Sequence, residues 1–488
     1  MINRHTFTYC FGSGLPARRI GALCAFFILA ACFGGALASQ ENRRNPSKPG
    51  TAEAGAGQPE TQALMLRISQ ALSQGDFNQA LALFDAIPAP NAESAEIRMV
   101  KASVLASAGK YDEARGLLNG LIALEPDNVD ALLVLAEIEG LAGRDRERRA
   151  LLERVVKKDP AHAEALTALG ALGMRSHSYK NAASFFDRAL QADPARREAL
   201  LGRAQAHRHL KETKNAEALL NRALALHPQW APLWSERARL YRSGGRHQQA
   251  LADFDRALAL EPDNYWTAID RGLILLDLNQ KADALVQFEK AKPLNPNNFL
   301  AYVYTAGIKD EFRDFAGAER DYAAAARLKP EYYFAFEGLG VHRMLRKDWA
   351  AARDAFLNAY QQAPQEYGYA LLAAMNWMRA GKPSDPKQFL EGELKKAKRS
   401  SAEWYLFRLY YDLAGDTDTI AQIAKEKSLD TKARMLYYLA NFYDIRGNKT
   451  LADKYFLEFR EMNRMMILEW RLNEWALEDR GLAALPQQ

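Results

Sequence analysis

Small, bulky and helix-breaking residues recur along this chain in columns 34 residues apart. Bulky apolar groups form one column: Leu118, Leu152, Phe186, Leu220, Phe254, Phe288, Tyr322 and Phe356. Sixteen residues before each stands a small one: Ala102, Ala136, Gly170, Ala204, Ala238, Gly272, Ala306 and Gly340. Four before each bulky group come Ala114, Ala182, Ala216, Ala250, Ala284, Ala318 and Ala352, with Arg148 the single exception. Eight after it comes a proline: Pro126, Pro160, Pro194, Pro228, Pro262, Pro296, Pro330 and Pro364. Two short-side-chain columns let a pair of helices approach closely, and the bulky column fills the space they leave. The proline has no N–H to donate and clashes with the preceding turn, so it ends the second helix. The pattern predicts eight helix pairs over residues 95–366.

With 19 prolines in 488 residues, seven consecutive coincidences have a probability on the order of 10⁻¹⁰, and a fixed period of this length marks a repeat array. Gln249 to Asn264, QALADFDRALALEPDN, closely resembles the consensus second helix of the tetratricopeptide repeat (TPR). The resemblance implies an all-α, right-handed TPR solenoid of antiparallel helix pairs, with about eight regular and two to four degenerate repeats. Gly75, Phe77, Ala80 and Phe84 keep the frame before Pro88, so residues 61–94 are expected to form a degenerate N-terminal capping repeat. The frame weakens at Lys382 to Pro386, and Ala440, Gly447, Ala452 and Phe456 restore it, which marks 367–466 as divergent helical repeats. An amphipathic segment from Met465 to Leu477 follows. It is expected to cover the exposed face of the last repeat as a C-terminal cap within 467–488, or else to serve as a dimerisation or docking helix. The tail from Glu403 to Tyr411, then Tyr437 to Tyr443, Gly447 and the closing Trp-rich helix, is loosely similar to the C-terminal half of NlpI-type TPR lipoproteins. That likeness implies a periplasmic adaptor that recruits cell-wall hydrolases or a protease.

The N-terminus reads differently. Arg18 and Arg19 precede 13 uncharged residues from Ile20 to Cys32, the length of a signal-peptide core and too short for a membrane span. Two cleavage readings compete. Leu29-Ala-Ala-Cys32 resembles a bacterial lipobox, making residues 1–32 a signal peptide and Cys32 an acylated anchor. Ala36-Leu-Ala38 resembles an ordinary signal-peptidase site. The uncharged run continues to Ala38, which leaves an uncleaved anchor as a third reading. With Phe33 rather than Asp after the cysteine, the lipobox reading favours the outer membrane. Residues 33–60 lack apolar periodicity and are expected to be a flexible tether, with a root-mean-square reach of roughly 30 Å.

The formal charge of +5 changes little, because Arg4, Arg18 and Arg19 supply three of those charges and the rest of the chain carries only +2. Nucleic-acid binding finds no strongly basic stripe to support it. The cysteines are Cys10, Cys24 and Cys32, so the body has no thiol for a zinc site, disulfide or nucleophile. No P-loop, dinucleotide fingerprint, HExxH helix or nucleophile elbow is legible, and no enzyme, cofactor or metal is expected. His207 and His209 lie two apart on a predicted helix and point in different directions, which suits a solvated face better than metal ligation.

In TPR arrays the first helix of each pair lines the binding groove, which by resemblance nominates one basic and one apolar stretch. Gln205, Arg208, Arg239 and Arg242 form the basic one, suited to an acidic peptide or carboxylate, with a solvated charged face as the alternative. Trp266, Tyr302, Phe334 and Met344 belong to the apolar one, an anchor surface or inter-repeat core. The expected function is a membrane-anchored scaffold or adaptor for proteins or peptides in the bacterial cell envelope, facing the periplasm. A surface-exposed adhesin for host or matrix ligands is the rival.

Overall fold

The computed structural model describes residues 58–89, 91–381 and 386–482. The expected signal segment, Cys32, the tether up to residue 57, the Lys382 link and the last six residues lie outside them. Every regular element among the described residues is helical, and they form two compact units, one ending at Thr267 and the other beginning at Ala268.

The first unit opens with α1 (Gln58–Ser73) and α2 (Phe77–Phe84), then a single 3₁₀ turn at Asn91–Glu93. Regular pairs follow: α3 (Ala95–Ser107) with α4 (Tyr111–Leu124), α5 (Val129–Leu141) with α6 (Asp145–Lys158), and α7 (Ala163–Arg175) with α8 (Tyr179–Ala192). Next come α9 (Arg197–His209) with α10 (Thr213–Leu226) and α11 (Ala231–Ser243) with α12 (His247–Leu260). Helix α13 (Tyr265–Asp277) carries the boundary and precedes α14 (Lys281–Leu294). The second unit continues with α15 (Phe299–Glu311), α16 (Phe315–Leu328), α17 (Tyr333–Leu345) and α18 (Trp349–Gln362). The divergent pairs are α19 (Tyr367–Arg379) with α20 (Pro386–Lys396), α21 (Ala402–Asp412) with α22 (Asp416–Lys425), and α23 (Leu429–Ile445) with α24 (Lys449–Glu461). Helix α25 (Leu468–Asp479) comes last.

One boundary differs from expectation. Helix α1 starts at Gln58, three residues inside the segment read as tether. Pro59 and Glu60 explain the extension: a first-turn proline sacrifices no helical hydrogen bond, and an acid there complements the helix dipole.

Local chemistry sets the remaining ends. Ser94, Asn128, Asp314 and Asp348 each accept the backbone N–H three residues on, capping a first or second helix. Each turn inside a regular pair holds one residue in the left-handed region. Gly109, Gly143 and Gly245 fill it in three repeats, and His177, Lys211, Asn279, Arg313 and Lys347 in the other five. The next residue's N–H then returns to a carbonyl five residues back, as in Lys110 to Leu105 at 2.9 Å and Glu212 to His207 at 2.9 Å. Second helices end two residues before the repeat proline, as the sequence predicts.

Between repeats the bulky column is the wedge. A Cβ added to Gly170 would lie 2.6 Å from the Phe186 ring, and one on Gly202 in the next repeat would lie 2.3 Å from it. Phe186 is therefore sandwiched between two helices that only hydrogen lets in. Phe288 meets Gly272 and Phe356 meets Gly340 in the same way, while Tyr322 closes on Gly338 of the following repeat. Outside this core a second device recurs: Arg154, Arg188 and Arg222 each donate to the carbonyl of the preceding repeat's Pro126, Pro160 and Pro194, at 3.5, 3.1 and 3.2 Å. Arg148, the exception in the alanine column, has its guanidinium where a Cβ on Gly140 would stand, 2.8 Å away. The missing side chain on one helix makes room for the long one on its partner.

Two outcomes follow from these contacts. Gly202→Ala is expected to cost about 1–3 kcal/mol by overpacking against Phe186, and the cost is expected to shrink in a Phe186→Leu background, a non-additivity readable by denaturant unfolding of all three variants. Lys211→Gly relieves a left-handed non-glycine residue and is expected to raise stability by roughly 1 kcal/mol. An unchanged or lowered denaturation midpoint would contradict it.

Candidate functional site

The basic stretch predicted on the first helices of the first unit gathers around one carboxylate. Glu236 on α11 is buried, 1% exposed. Arg208 Nε donates to it at 2.6 Å, Gln205 Nε2 at 3.4 Å, and Arg239 Nη1 stands 3.6 Å away. Burial opposes ionisation of Glu236, but the guanidinium groups of Arg208 and Arg239 outweigh it and hold the carboxyl below its ordinary range. α9 and α11 are thereby joined by a buried, charge-assisted network. The carboxylate anticipated for these arginines is supplied from within the chain. Arg242 follows Arg239 by one turn on α11 and is half-buried.

The histidines depart from expectation. His207 is not on a solvated face: it is buried, and its Nδ1 sits 2.5 Å from a Glu212 carboxylate oxygen. The backbone carbonyl of the same residue accepts the Glu212 N–H, so this pair brackets left-handed Lys211 with two contacts. The His209 ring stacks on Tyr179, with centroids 4.4 Å apart.

Trp266, at the end of the first unit, is half-buried and packs edge-on to Tyr265 at 5.1 Å. In the second unit, rings line the N-terminal ends of the first helices α15, α17 and α19. Phe299 packs on Tyr332 at 5.1 Å, and Phe334 lies against Tyr332 at 5.6 Å and Tyr333 at 4.2 Å. Tyr333 reaches Tyr369 at 6.0 Å. Cations cover two of the rings: Lys329 stands 4.9 Å from the Phe299 centroid and Lys292 5.1 Å from that of Tyr302. Phe334 remains 39% exposed. Beneath the rings, Tyr369 donates to Glu337. Burial pushes that carboxyl up, and it also raises the Tyr332 phenol to about 12. Met344 instead packs against the C-terminal core and is not part of this aromatic run.

The residues that sequence reasoning missed lie on α25. Leu472 and Leu477 enter the core beside α23 and α24, and Asn473 Nδ2 donates to the Phe456 carbonyl at 3.1 Å, as a cap requires. The other side of the helix reaches back more than a hundred residues. Arg471 forms a two-pronged ion pair with Asp310 on α15, while His342 Nε2 on α17 stands 3.3 Å from the same carboxylate. The Tyr438 hydroxyl stands 3.0 Å from the Gly368 carbonyl and 3.1 Å from Glu469 Oε1, its one proton shared between the two acceptors. Asp310, His342, Gly368 and Tyr438 all sit on first helices. Within this unit, α25 therefore lies on the face that the family resemblance assigns to binding. The signal was present as Arg471, Trp475, Glu478 and Asp479, a second patterned face beside the apolar one.

Comparison with known proteins bears on the repeats themselves. Family models described as tetratricopeptide repeat match residues 65–129, 105–172, 174–240, 231–264 and 309–367, together over half of the chain. No curated protein matches. Among solved structures, pilF of Pseudomonas aeruginosa is 22% identical, covering 44% of this chain and 96% of its own, with a TM-score of 0.39. A tetratricopeptide repeat protein of Parabacteroides merdae is 20% identical over 51% of this chain and 99% of its own, with a TM-score of 0.42. YrrB, described as a TPR protein with an unusual peptide-binding site, is 17% identical over 38% and 95%, with a TM-score of 0.31. The chain belongs to the tetratricopeptide-repeat family, whose fold generally serves protein–protein interaction rather than catalysis.

Proposed function

We propose that this protein is an exported scaffold, tethered through acylated Cys32, that holds protein or peptide partners on its first-helix faces in the bacterial cell envelope. The observation that carries the reading is the aromatic run from Phe299 to Tyr369 with Phe334 exposed at its crest. Partly exposed aromatic anchors on a rigid scaffold are the usual energetic centres of protein interfaces. The rings stand on three packed helices, so little conformational freedom is lost when a partner arrives. The leader, the lipobox-like Leu29-Ala-Ala-Cys32 and the polar segment after it support anchoring, and the loose likeness of the tail to NlpI-type lipoproteins points to a periplasmic adaptor.

Anchoring is tested by metabolic labelling with a fatty-acid analogue: label on the native chain and none on Cys32→Ser is expected, and an unlabelled native chain would move cleavage to Ala38. Docking is tested with a photo-crosslinking residue at Phe334 and, as a control on a second helix of the same unit, at Val286, which is 54% exposed. Adducts from the first position only are expected. Phe334→Ala is then expected to weaken the partner so identified by about 30-fold. Equal yields at the two positions would remove the aromatic face from the interface. Protease treatment of intact cells is expected to spare the body, whereas digestion would favour an outward-facing adhesin.

A further inference from the structure

The starts of α21, α23 and α25 lie along one edge of the second unit. Helices α21 and α23 are each joined to α22 by a short turn, residues 413–415 and 426–428, so the two run parallel with α22 antiparallel to both. They also run side by side at the same depth: the Tyr410 hydroxyl of α21 donates to the Tyr438 carbonyl of α23 at 2.8 Å, and each residue stands about as far into its helix as the other. Their N-terminal ends therefore share an edge, together with the turns that lead into them. The turn before α25 is fastened to the same place, because Arg464 donates to Asp430 at the start of α23, at 2.5 Å.

That edge brings apolar and cationic side chains into solvent together. Leu429, Met465 and Met466 are 56%, 57% and 72% exposed, and they flank the two residues of the Arg464–Asp430 pair. Lys425 and Lys427 precede Leu429, and Lys398 and Arg399 stand in the turn before α21, which the Ser401 N–H closes on the Lys398 carbonyl at 3.0 Å. All four are exposed, and among the described residues none of them takes an ion pair. Lys395 and Lys396 differ, being paired with Glu391 and Glu393 at 2.7 and 2.8 Å. Residues 394–401 contain no acid, and the two acids within 425–432 are already engaged: Asp430 holds Arg464, and Glu426 accepts the Ser428 N–H at 2.8 Å. Trp404, in the first turn of α21, is half-buried with the Arg408 guanidinium 5.3 Å from its ring centroid.

An exposed apolar cluster marks a contact surface, and its surroundings say of which kind. Lysine is depleted from protein interfaces. Apolar tips beside unpaired Lys and Arg, with a tryptophan at their margin, match instead the layered chemistry of a bilayer, where acyl chains lie beneath charged headgroups. We infer that this edge of the second unit seats on an anionic phospholipid bilayer, with Leu429, Met465 and Met466 entering the headgroup layer and Lys398, Arg399, Lys425 and Lys427 meeting the lipid phosphates. The groups stand on turns between packed helices, so little freedom is lost on contact. The inference goes beyond the scaffold reading, since it assigns a membrane-facing edge that does not depend on the anchor at Cys32.

The test uses the full chain with vesicles of phosphatidylglycerol and phosphatidylcholine in equal parts. A photo-crosslinking residue at Met466 is expected to give lipid adducts, read by mass spectrometry, at least tenfold above the same residue at Val286 on a second helix of this unit. Lys398→Glu with Arg399→Glu is expected to lower the Met466 yield at least tenfold, as the loss of two cations from an anionic surface requires. Vesicles of phosphatidylcholine alone are expected to lower it likewise with those cations intact, which keeps the result independent of how the charge-reversed chain folds. The same ordering is expected with Cys32→Ser, so failure of the anchored reading and failure of this one are told apart. Equal lipid yields at the two positions, yields indifferent to charge reversal or to phosphatidylglycerol, or adducts at Met466 with a second copy of the chain in place of lipid would each overturn the inference.

Discussion

The wedging of one bulky residue between two helices reduced to hydrogen or methyl groups is the contact on which the rest of the molecule depends. Phe186 fills the space against Gly170 in its own repeat and Gly202 in the next, so a single ring sets both the intra-repeat and the inter-repeat distance. Where the next repeat offers no glycine, another ring takes up the geometry: Tyr304 stacks on Phe288 with centroids 4.8 Å apart. Packing at crystal-like density leaves little freedom in such a contact, and each repeat inherits its placement from the one before. The surface of the first helices is then fixed without contributing to the core, which leaves its residues free to vary in chemistry.

What could be read from the sequence follows the range of each interaction. The columns of Ala102, Leu118 and Pro126 repeat at a fixed spacing, and a helix pair needs nothing beyond its own residues and its neighbour's. Turn closure was legible where glycine stands, as at Gly75 and Gly447, and less so at His177 or Arg313, where the fold holds a non-glycine residue left-handed. Charge was harder. Arg208 and Arg239 looked like a basic patch because Glu236, the residue that organises them, is a single acid on a helix rich in arginine, and only burial reveals its role. Helix α25 was legible as amphipathic but not as a second-sided element. The partner of Arg471 is Asp310, 161 residues away, and no local period connects them.

The two first-helix faces reach their present chemistry by opposite routes. Around Glu236, two guanidinium groups and an amide converge on a buried charge, an arrangement that contributes more to the geometry of α9 and α11 than to stability, since removing ions from water offsets much of their attraction. Around Phe334 the exposed groups are rings, backed by ionisable side chains whose charged forms burial disfavours. Such a surface presents aromatic area edged by the Lys329 and Lys292 cations that cover two of its rings. It suits a partner recognised by shape and aromatic contact more than by electrostatic steering.

In an array whose columns are nearly uniform, the departures carry the individuality, and the way a departure is compensated says what kind it is. Arg148 replaces an alanine, and Gly140 of the same repeat yields the space, so that departure is closed within the repeat and concerns packing alone. Glu236 is answered by Arg208 one repeat earlier and remains within the reach of inter-repeat stapling. Asp310 is different. A nearly buried carboxylate on a first helix is costly unless paired, and among the described residues the neighbouring repeat supplies His342, at 3.3 Å. The strong partner comes from the far end of the chain, on a helix already anchored elsewhere by apolar contacts. A charge whose compensation is imported marks a place where the array was shaped to receive something from outside its own repeat, and Asp310 is that place in the second unit.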